Sequence, residues 1–213
     1  MAADEDGLER GTPRWADARV AAVLAGWGAA HEVVDCDPDL ADTATFCAHY
    51  GYDPADSANT IIVATKEDPA RYVACVVLAT HKLDVNRAVR KRLGARKVSF
   101  ATAEETRELT GMLIGGVTAI GLPEELPLWV DAAVMGRARI ILGGGSRSTK
   151  VIAAPSLLLR VPSCEVVEGL AAPIVGAATG EDAGAAPGEG AATGEWAATG
   201  EGAGAGEATE RPA

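Results

Sequence analysis

A chain of 213 residues and 21.7 kDa has room for one full domain with a substantial core, or two small ones, and excludes a large multidomain machine. Hydrophobic residues make up 48%, which excludes a wholly disordered chain, and with aromatics at 4% the core has to be built mainly from Ala, Val, Leu and Ile. The formal net charge of -11 argues against a protein that coats nucleic acid through bulk positive charge.

The acids Asp4, Glu5, Asp6 and Glu9 precede any apolar run, which is the wrong charge for a secretory leader, and a cytoplasmic protein is expected. A helix is predicted over 15–27, where Trp15, Val20, Val23, Leu24 and Trp27 fall near one face, and 31–35 alternates as a short strand. Residues 40–50 read as a helix with Asp39 as N-cap and Gly51 at its close. Strands over 60–65 and 72–80 flank the turn KEDPAR. A helix over 85–93 stops at Gly94, a strand covers 97–101, and Thr102 with Glu105 forms a capping box for a helix over 103–109. The longest uncharged stretch, the 15 residues 109–123, is interrupted by four glycines and a proline, so it supplies no membrane-spanning helix. Strands over 128–131, 139–142 and 150–153 follow, then a short helix over 155–159. This alternation predicts an α/β fold: a single domain with a mixed, largely antiparallel sheet or partial barrel surrounded by helices.

The chain divides into a helical extension over 1–30, a main domain over 31–170 and a tail over 177–213. In the tail the motif AATGE recurs at 177–181, 191–195 and 197–201, and Trp196 is almost the only side chain worth burying; disorder is expected. The tail carries a net charge of -6, leaving -5 for residues 1–176.

Four cysteines, Cys36, Cys47, Cys75 and Cys164, are scattered in apolar surroundings without a CxxC pair and read as buried free thiols. His31, His49 and His81 show no metal-ligand spacing, and neither a metal nor a cofactor is called for. Three loops stand out: TGMLIGGVTAIGLP at 110–123, GGGSR at 143–147 and a His-Lys-Leu-Asp turn at 81–84. Glycine loops let a ligand approach the backbone, although none of these is a GxxxxGK[ST] or GxGxxG phosphate loop, and by themselves they read better as tight turns, because glycine most often serves backbone geometry. Asp131 either orients a site or caps the following helix. Arg147 suits a phosphate or carboxylate, or an ion pair with Asp131.

The order of these pieces resembles a family. The run LDVNRAVRKRLGARKVSFATAEETRELTGMLIGGVTAIGLPEELPLWVDAAV, followed by IILGGGSRSTKVI, is similar to the YbaK/EbsC family, through linked LD, LGA, TG, GGV, LP, VD and GGxR elements across about residues 31–168. That family includes the editing insertion domain of bacterial prolyl-tRNA synthetases and its free-standing relatives. The resemblance implies a mixed sheet ringed by helices, and deacylation of mischarged aminoacyl-tRNA. Two positions depart from the family pattern. Asn59 stands where many relatives carry a lysine directed at the terminal adenosine, and the GxxxP element bordering the aminoacyl pocket reads Gly115-Gly-Val-Thr-Ala119.

The ester is already activated, so the protein has chiefly to orient it and stabilise its oxyanion. Asn59, Gly115 and Gly116 are the expected catalytic positions. Backbone amides around Gly115 and Gly116, or around Gly144 and Gly145, are candidate oxyanion donors. Thr118, Ala119, Asp131, Arg147 and His81 are candidate substrate contacts, and Lys82 or Lys150 could take over the cationic duty of the family lysine. Residues 82–97 carry a net +6 from Lys82, Arg87, Arg90, Lys91, Arg92, Arg96 and Lys97 against Asp84, a local contrast to an acidic chain and a plausible match for a tRNA acceptor end. The expected partner is aminoacyl-tRNA, with no DNA and no membrane. The competing expectation is a binding or regulatory module that kept the pocket and lost hydrolysis with the lysine.

Overall fold

The computed structural model describes residues 8–174; residues 1–7 and 175–213, including the expected disordered tail, lie outside the described residues. Helix α1 (Pro13–Trp27) opens with the Thr12 hydroxyl accepting from the Trp15 amide at 3.4 Å, Pro13 in the first turn, and Gly28 closing it at φ 56°. Its Trp15, Ala16, Val20 and Leu24 enter the largest hydrophobic cluster, so this helix is built into the core. Strand β1 (His31–Asp35) follows.

The single helix expected over 40–50 is instead a 3-10 turn, Pro38–Leu40, and a separate α2 (Thr43–Tyr50). Asp39 is not the cap. The Asp37 carboxylate accepts from the Asp39 amide at 2.9 Å, and Asp42 occupies the N-cap position of α2. At the break, the Ala41 carbonyl, which a helix over 40–50 would use internally, receives the Lys150 ammonium from β8, and the Pro38 carbonyl before it receives Arg147 from the loop leading into β8.

Strands β2 (Ala58–Thr65) and β3 (Tyr72–Leu78) pair antiparallel, with Asn59 opposite Val77. The segment 81–84, expected to be a turn, begins with a short strand β4 (His81–Leu83). A wide π turn, Val85–Val89, precedes α3 (Arg90–Leu93), which Gly94 ends at φ 62°. Then come β5 (Val98–Phe100) and α4 (Ala103–Thr110), whose Thr102/Glu105 capping box is present in both directions. Strand β6 (Leu128–Asp131) runs directly into the short α5 (Ala132–Met135), followed by β7 (Ile140–Gly143), β8 (Thr149–Ala153) and a 3-10 helix, Pro155–Arg160. Two strands had no sequence expectation, β9 (Cys164–Val167) and β10 (Ala171–Pro173).

The strands form three sheets. The largest has the order β5-β2-β3-β6-β9, antiparallel over its first three strands and parallel from β3 to β9. The second is antiparallel, β1-β8-β7, and the third pairs β10 with β4. A lone parallel bridge from Ser57 to Ile141 links the head of β2 to β7. The mixed α/β class agrees with expectation, while the strands do not close into a barrel among the described residues. None of the described helices is long and apolar enough to cross a membrane.

Alternation along the strands distributes side chains between three cores. On β8, Val151 and Ala153 enter the largest cluster, whereas Ile152 faces a small third core with Cys36, Ala41, Phe46 and Cys47. Lys150, two residues before Ile152, shares that face. On β2, Ala58 and Ile62 join the largest cluster, while Ile61 and Val63 join a second core that the helical segment after β4 covers with Val85 and Val89. Asn59 is on this second face.

Candidate functional site

The turn of residues 38–43 gathers four of the expected site positions. Lys150, only 6% exposed, donates from Nζ to the Ala41 carbonyl at 2.7 Å and to the Gly115 carbonyl at 3.2 Å, with the Phe46 ring centroid 5.4 Å away. Burial pushes the Lys150 ammonium below the usual lysine range, and the nearby Arg147 charge adds to this. Arg147 donates from Nε to the Pro38 carbonyl at 2.8 Å. Its Nη1 lies 3.6 Å from Asp42 Oδ1, a pair worth little because Asp42 is 71% exposed. Asn59 accepts the Thr43 hydroxyl on Oδ1 at 2.8 Å, which leaves both N–H groups of its amide for another acceptor.

Gly115 completes the group. At φ 91° it lies under the guanidinium, and a Cβ there would come within 2.3 Å of Arg147 Nη1. The next residue, Gly116, meets the backbone of Ser146, so the 110–123 and 143–147 loops touch main chain to main chain. These close contacts explain the glycines, and they correct one expectation. The Gly116 amide donates to Leu113 O at 2.9 Å, Gly144 to Thr149 O at 3.0 Å, and Gly145 to Gly116 O at 2.8 Å. Those amides hold the loops together and are not available to an oxyanion. The Gly115 amide has no acceptor among the described residues.

Other expected positions lie elsewhere or are covered. Thr118 and Ala119 are fully buried beneath the loop, with Thr118 Oγ1 accepting from the Ile120 amide at 3.5 Å. Asp131 is 3% exposed and spends both oxygens on backbone, Oδ1 on the Ala133 amide at 3.0 Å and Oδ2 on the Ala171 amide at 2.8 Å. It caps α5 and anchors β10, and Arg147 pairs with Asp42 in place of the Asp131 partner expected from sequence. His81 and Lys82 sit on β4 opposite Pro173 and Ala172, with His81 Nδ1 3.1 Å from the Thr80 hydroxyl and Lys82 exposed. They leave β3 past Ala79, whose amide donates to Ser57 O at 2.8 Å, so they emerge at the Asn59 end of the sheet.

Sequence reasoning missed Thr43, Asp42 and Phe46, because a helix drawn through residue 40 conceals the turn that presents them. It also missed Asp56, which fixes the lead into β2. Burial alone would raise this carboxyl, but hydrogen bonds from Arg137 at 2.7 Å and Arg139 at 3.0 Å outweigh burial and hold it below the usual carboxylate range. Cys36, Cys47 and Cys75 are buried and free, Cys164 half-buried and free; burial raises all four thiols, so none is poised as a thiolate nucleophile. Among the described residues no three His, Cys, Asp or Glu side chains converge as a metal site would require.

A cleft of about 300 Å³ beside α1 is lined by Arg10, Trp15, Arg19 and Pro123, and another of about 810 Å³, beside α4, by Arg107, Glu108, Leu113 and Ile114. Asn59, Arg147 and Lys150 line neither.

Comparison with known proteins bears on this geometry. Residues 37–161 match the model of the family described as "Aminoacyl-tRNA editing domain". A proline--tRNA ligase of Bacillus licheniformis is 31% identical over 107 residues, 50% of this chain and 18% of the ligase. The Enterococcus faecalis protein named "Putative Cys-tRNA(Pro)/Cys-tRNA(Cys) deacylase EbsC" is 24% identical over 108 residues, 51% of this chain and 63% of that protein. The chain thus spans less than two thirds of either relative. Among solved structures, "a putative trans-editing enzyme for prolyl tRNA synthetase" superposes with a TM-score of 0.63 at 24% identity, covering 72% of this chain and 95% of that one. A protein given only as hypothetical superposes at 0.64 with 23% identity, covering 72% and 99%. These likenesses establish a shared fold, and the family match covers more than half of the sequence, the 38–43 turn and both glycine loops included: the chain belongs to the family of aminoacyl-tRNA editing domains, the YbaK/EbsC family that its motifs resemble.

Proposed function

We propose that the protein is a free-standing trans-editing deacylase that hydrolyses the ester at the 3′ end of mischarged aminoacyl-tRNA. The observation that carries this reading is the placement of two cations, Lys150 and Arg147, against Gly115 and beside the turn that holds Asn59. Water adds to the ester carbonyl, the carbon–oxygen bond to the terminal ribose breaks, and the proton from water ends on the ribose oxygen, freeing tRNA and the amino acid. The Gly115 amide is the donor offered to the developing oxyanion, and the Asn59 amide N–H groups orient the ester or the ribose. Lys150 replaces the missing family lysine from a different strand, and with Arg147 it supplies positive charge for the phosphate of the terminal nucleotide. A second reading, a binding module without hydrolysis, is favoured by the uncharged Asn59 alone. Deacylation measured over a panel of mischarged tRNAs separates the two. The expected result is turnover of at least one substrate, reduced about 10-fold by Asn59→Ala, as for loss of one orienting hydrogen bond. No turnover of any substrate favours the binding module.

The basic segment supports the same partner. The helical turns after β4 lie over the sheet face that carries Asn59, running from Lys82 at its end of β2 to Lys97, whose carbonyl accepts the Lys66 amide at the other end. Six residues of strand separate these ends, roughly 20 Å. Several of the cations are engaged: Arg92 with Glu165 and the Trp129 ring, Arg87 with Asp84, and Arg90 with the Asn86 carbonyl. Lys91 and Arg96 are exposed on the same strip. If this strip follows the acceptor-stem backbone, Lys91→Ala with Arg96→Ala reduces the slope of log affinity against log salt by about 2 without unfolding the protein. Titrations of tRNA at several salt concentrations check this, and an unchanged slope counts against the strip.

A further inference from the structure

The strongest unassigned feature is the attachment of α1 to the glycine-rich loop between β7 and β8. Residues 143–145 are three consecutive glycines, with Gly145 at φ 106°, so the loop has little intrinsic preference for one shape. One carboxylate fixes it. Asp17 Oδ1 accepts from the Ser146 amide at 3.2 Å and the Thr149 hydroxyl at 3.0 Å, and Oδ2 accepts from the Ser146 hydroxyl at 2.9 Å. The Ser146 hydroxyl in turn accepts from the Ser148 amide at 3.0 Å. These contacts bracket Arg147 on both sides and end one residue before Lys150. Neighbours of Asp17 in the same helical turn fit the glycines closely: a Cβ on Gly145 would lie 2.7 Å from the Ala16 carbonyl, and one on Gly111 would lie 2.2 Å from the Trp15 ring. A single turn of α1 therefore seats both loops whose meeting brings Arg147 over Gly115. This turn precedes the residues 37–161 that match the family.

We infer that Asp17 is a positioning residue of the site, holding Arg147 at the reach that substrate binding requires, and that α1 belongs to the working unit. The inference rests on the deacylase reading for its kinetic consequence and on the loop geometry alone for its structural one. A charged acceptor serving three donors at once is stronger than a neutral one, and among the described residues no other acidic side chain accepts from Ser146 or Thr149.

The test is a double-mutant cycle on the full chain with Asp17→Ala, Arg147→Ala and both together, and with Asp17→Asn as the variant that keeps the side chain's shape. Asp17→Ala is expected to raise KM for aminoacyl-tRNA about 10-fold with kcat within about 3-fold, and the double variant to be no worse than about 2-fold beyond Arg147→Ala. Asp17→Asn, with one acceptor oxygen left, is expected to fall between. Amide exchange at Ser146 and Ser148 is expected to accelerate about 10-fold in Asp17→Ala while Val76 in β3 stays protected, which separates a local release from general unfolding. Additive effects of Asp17 and Arg147, or unchanged exchange at Ser146 and Ser148, would overturn the inference. Absence of turnover in the parent protein would instead overturn the deacylase reading, and the exchange measurement would still decide whether Asp17 holds the loop.

Discussion

Lys150→Met is expected to remain folded and to lose at least about 100-fold in deacylation, the scale on which removal of a single electrostatic donor acts in a closed site. The two effects separate because of where the ammonium sits. It is buried, so its charge costs solvation, and two carbonyl hydrogen bonds, the Phe46 face and the nearby Asp42 charge offset part of that cost. Methionine fills a similar volume without the charge, leaving the stability within about 1 kcal/mol; Lys150→Ala removes the volume too and is expected to cost about 2–3 kcal/mol. A residue retained for packing alone would show the reverse order, with Lys150→Met almost fully active. Single-turnover hydrolysis alongside urea denaturation reads both quantities.

The pH dependence of Lys150 has a definite sign. Burial lowers its folded value below the ordinary 10.5, so between the folded and unfolded values the unfolded chain holds more protons. Stability therefore rises with pH through that window and is lower beneath it. Activity that needs the ammonium falls as pH rises through the same lowered value. Lys150→Met is expected to flatten the stability rise on the alkaline side, measured by thermal melts from neutral pH to about the ordinary lysine value. An unchanged alkaline profile in the variant would remove Lys150 as its source.

What could be read before the structure was what local chemistry specifies. The Thr102/Glu105 capping box, the glycine stops at Gly51 and Gly94, and the apolar runs of β2 and β3 on either side of KEDPAR each depend on residues within a few positions of one another. Partner choice across the fold was not readable. Arg147 could be expected to seek an anion, yet it takes the Pro38 carbonyl, more than a hundred positions away, and only weakly an Asp, at residue 42. Pairing of β4 with β10 is likewise non-local, and Pro173 in its second strand argues against a strand when read alone. Among the candidate site residues, Asn59, Gly115, Arg147 and Lys150 meet around one turn. Gly116, Gly144 and Gly145 have a different use from the one expected, because a glycine loop signals close approach without telling whether ligand or protein does the approaching.

Gly116→Ala turns that distinction into a measurement. Its Cβ would lie 1.9 Å from the Ser146 carbonyl oxygen and 2.1 Å from the carbonyl carbon, and both are backbone atoms in the middle of a clamped loop. A rotamer change cannot relieve the clash, so the loops have to separate by about 1 Å to reach ordinary contact. Separation breaks or lengthens the Gly145 to Gly116 hydrogen bond at 2.8 Å and the Leu113 to Gly145 bond at 3.3 Å, and opens a void between the loops. Together these are expected to cost about 3–5 kcal/mol and to lower Tm by about 10 °C. Gly94→Ala is the control: unlike Gly116 it has a positive φ, 62°, that L residues disfavour, but nothing lies within 4 Å of its Cβ position, and its expected cost is about 1 kcal/mol. Similar costs for the two variants would mean that the loops are not in main-chain contact, and the placement of Arg147 over Gly115 would lose its support. A large difference would locate the purpose of the glycine pair in the joint itself: Gly116 lets the loops close, and closing them puts the guanidinium beside the Gly115 amide, which has no acceptor among the described residues.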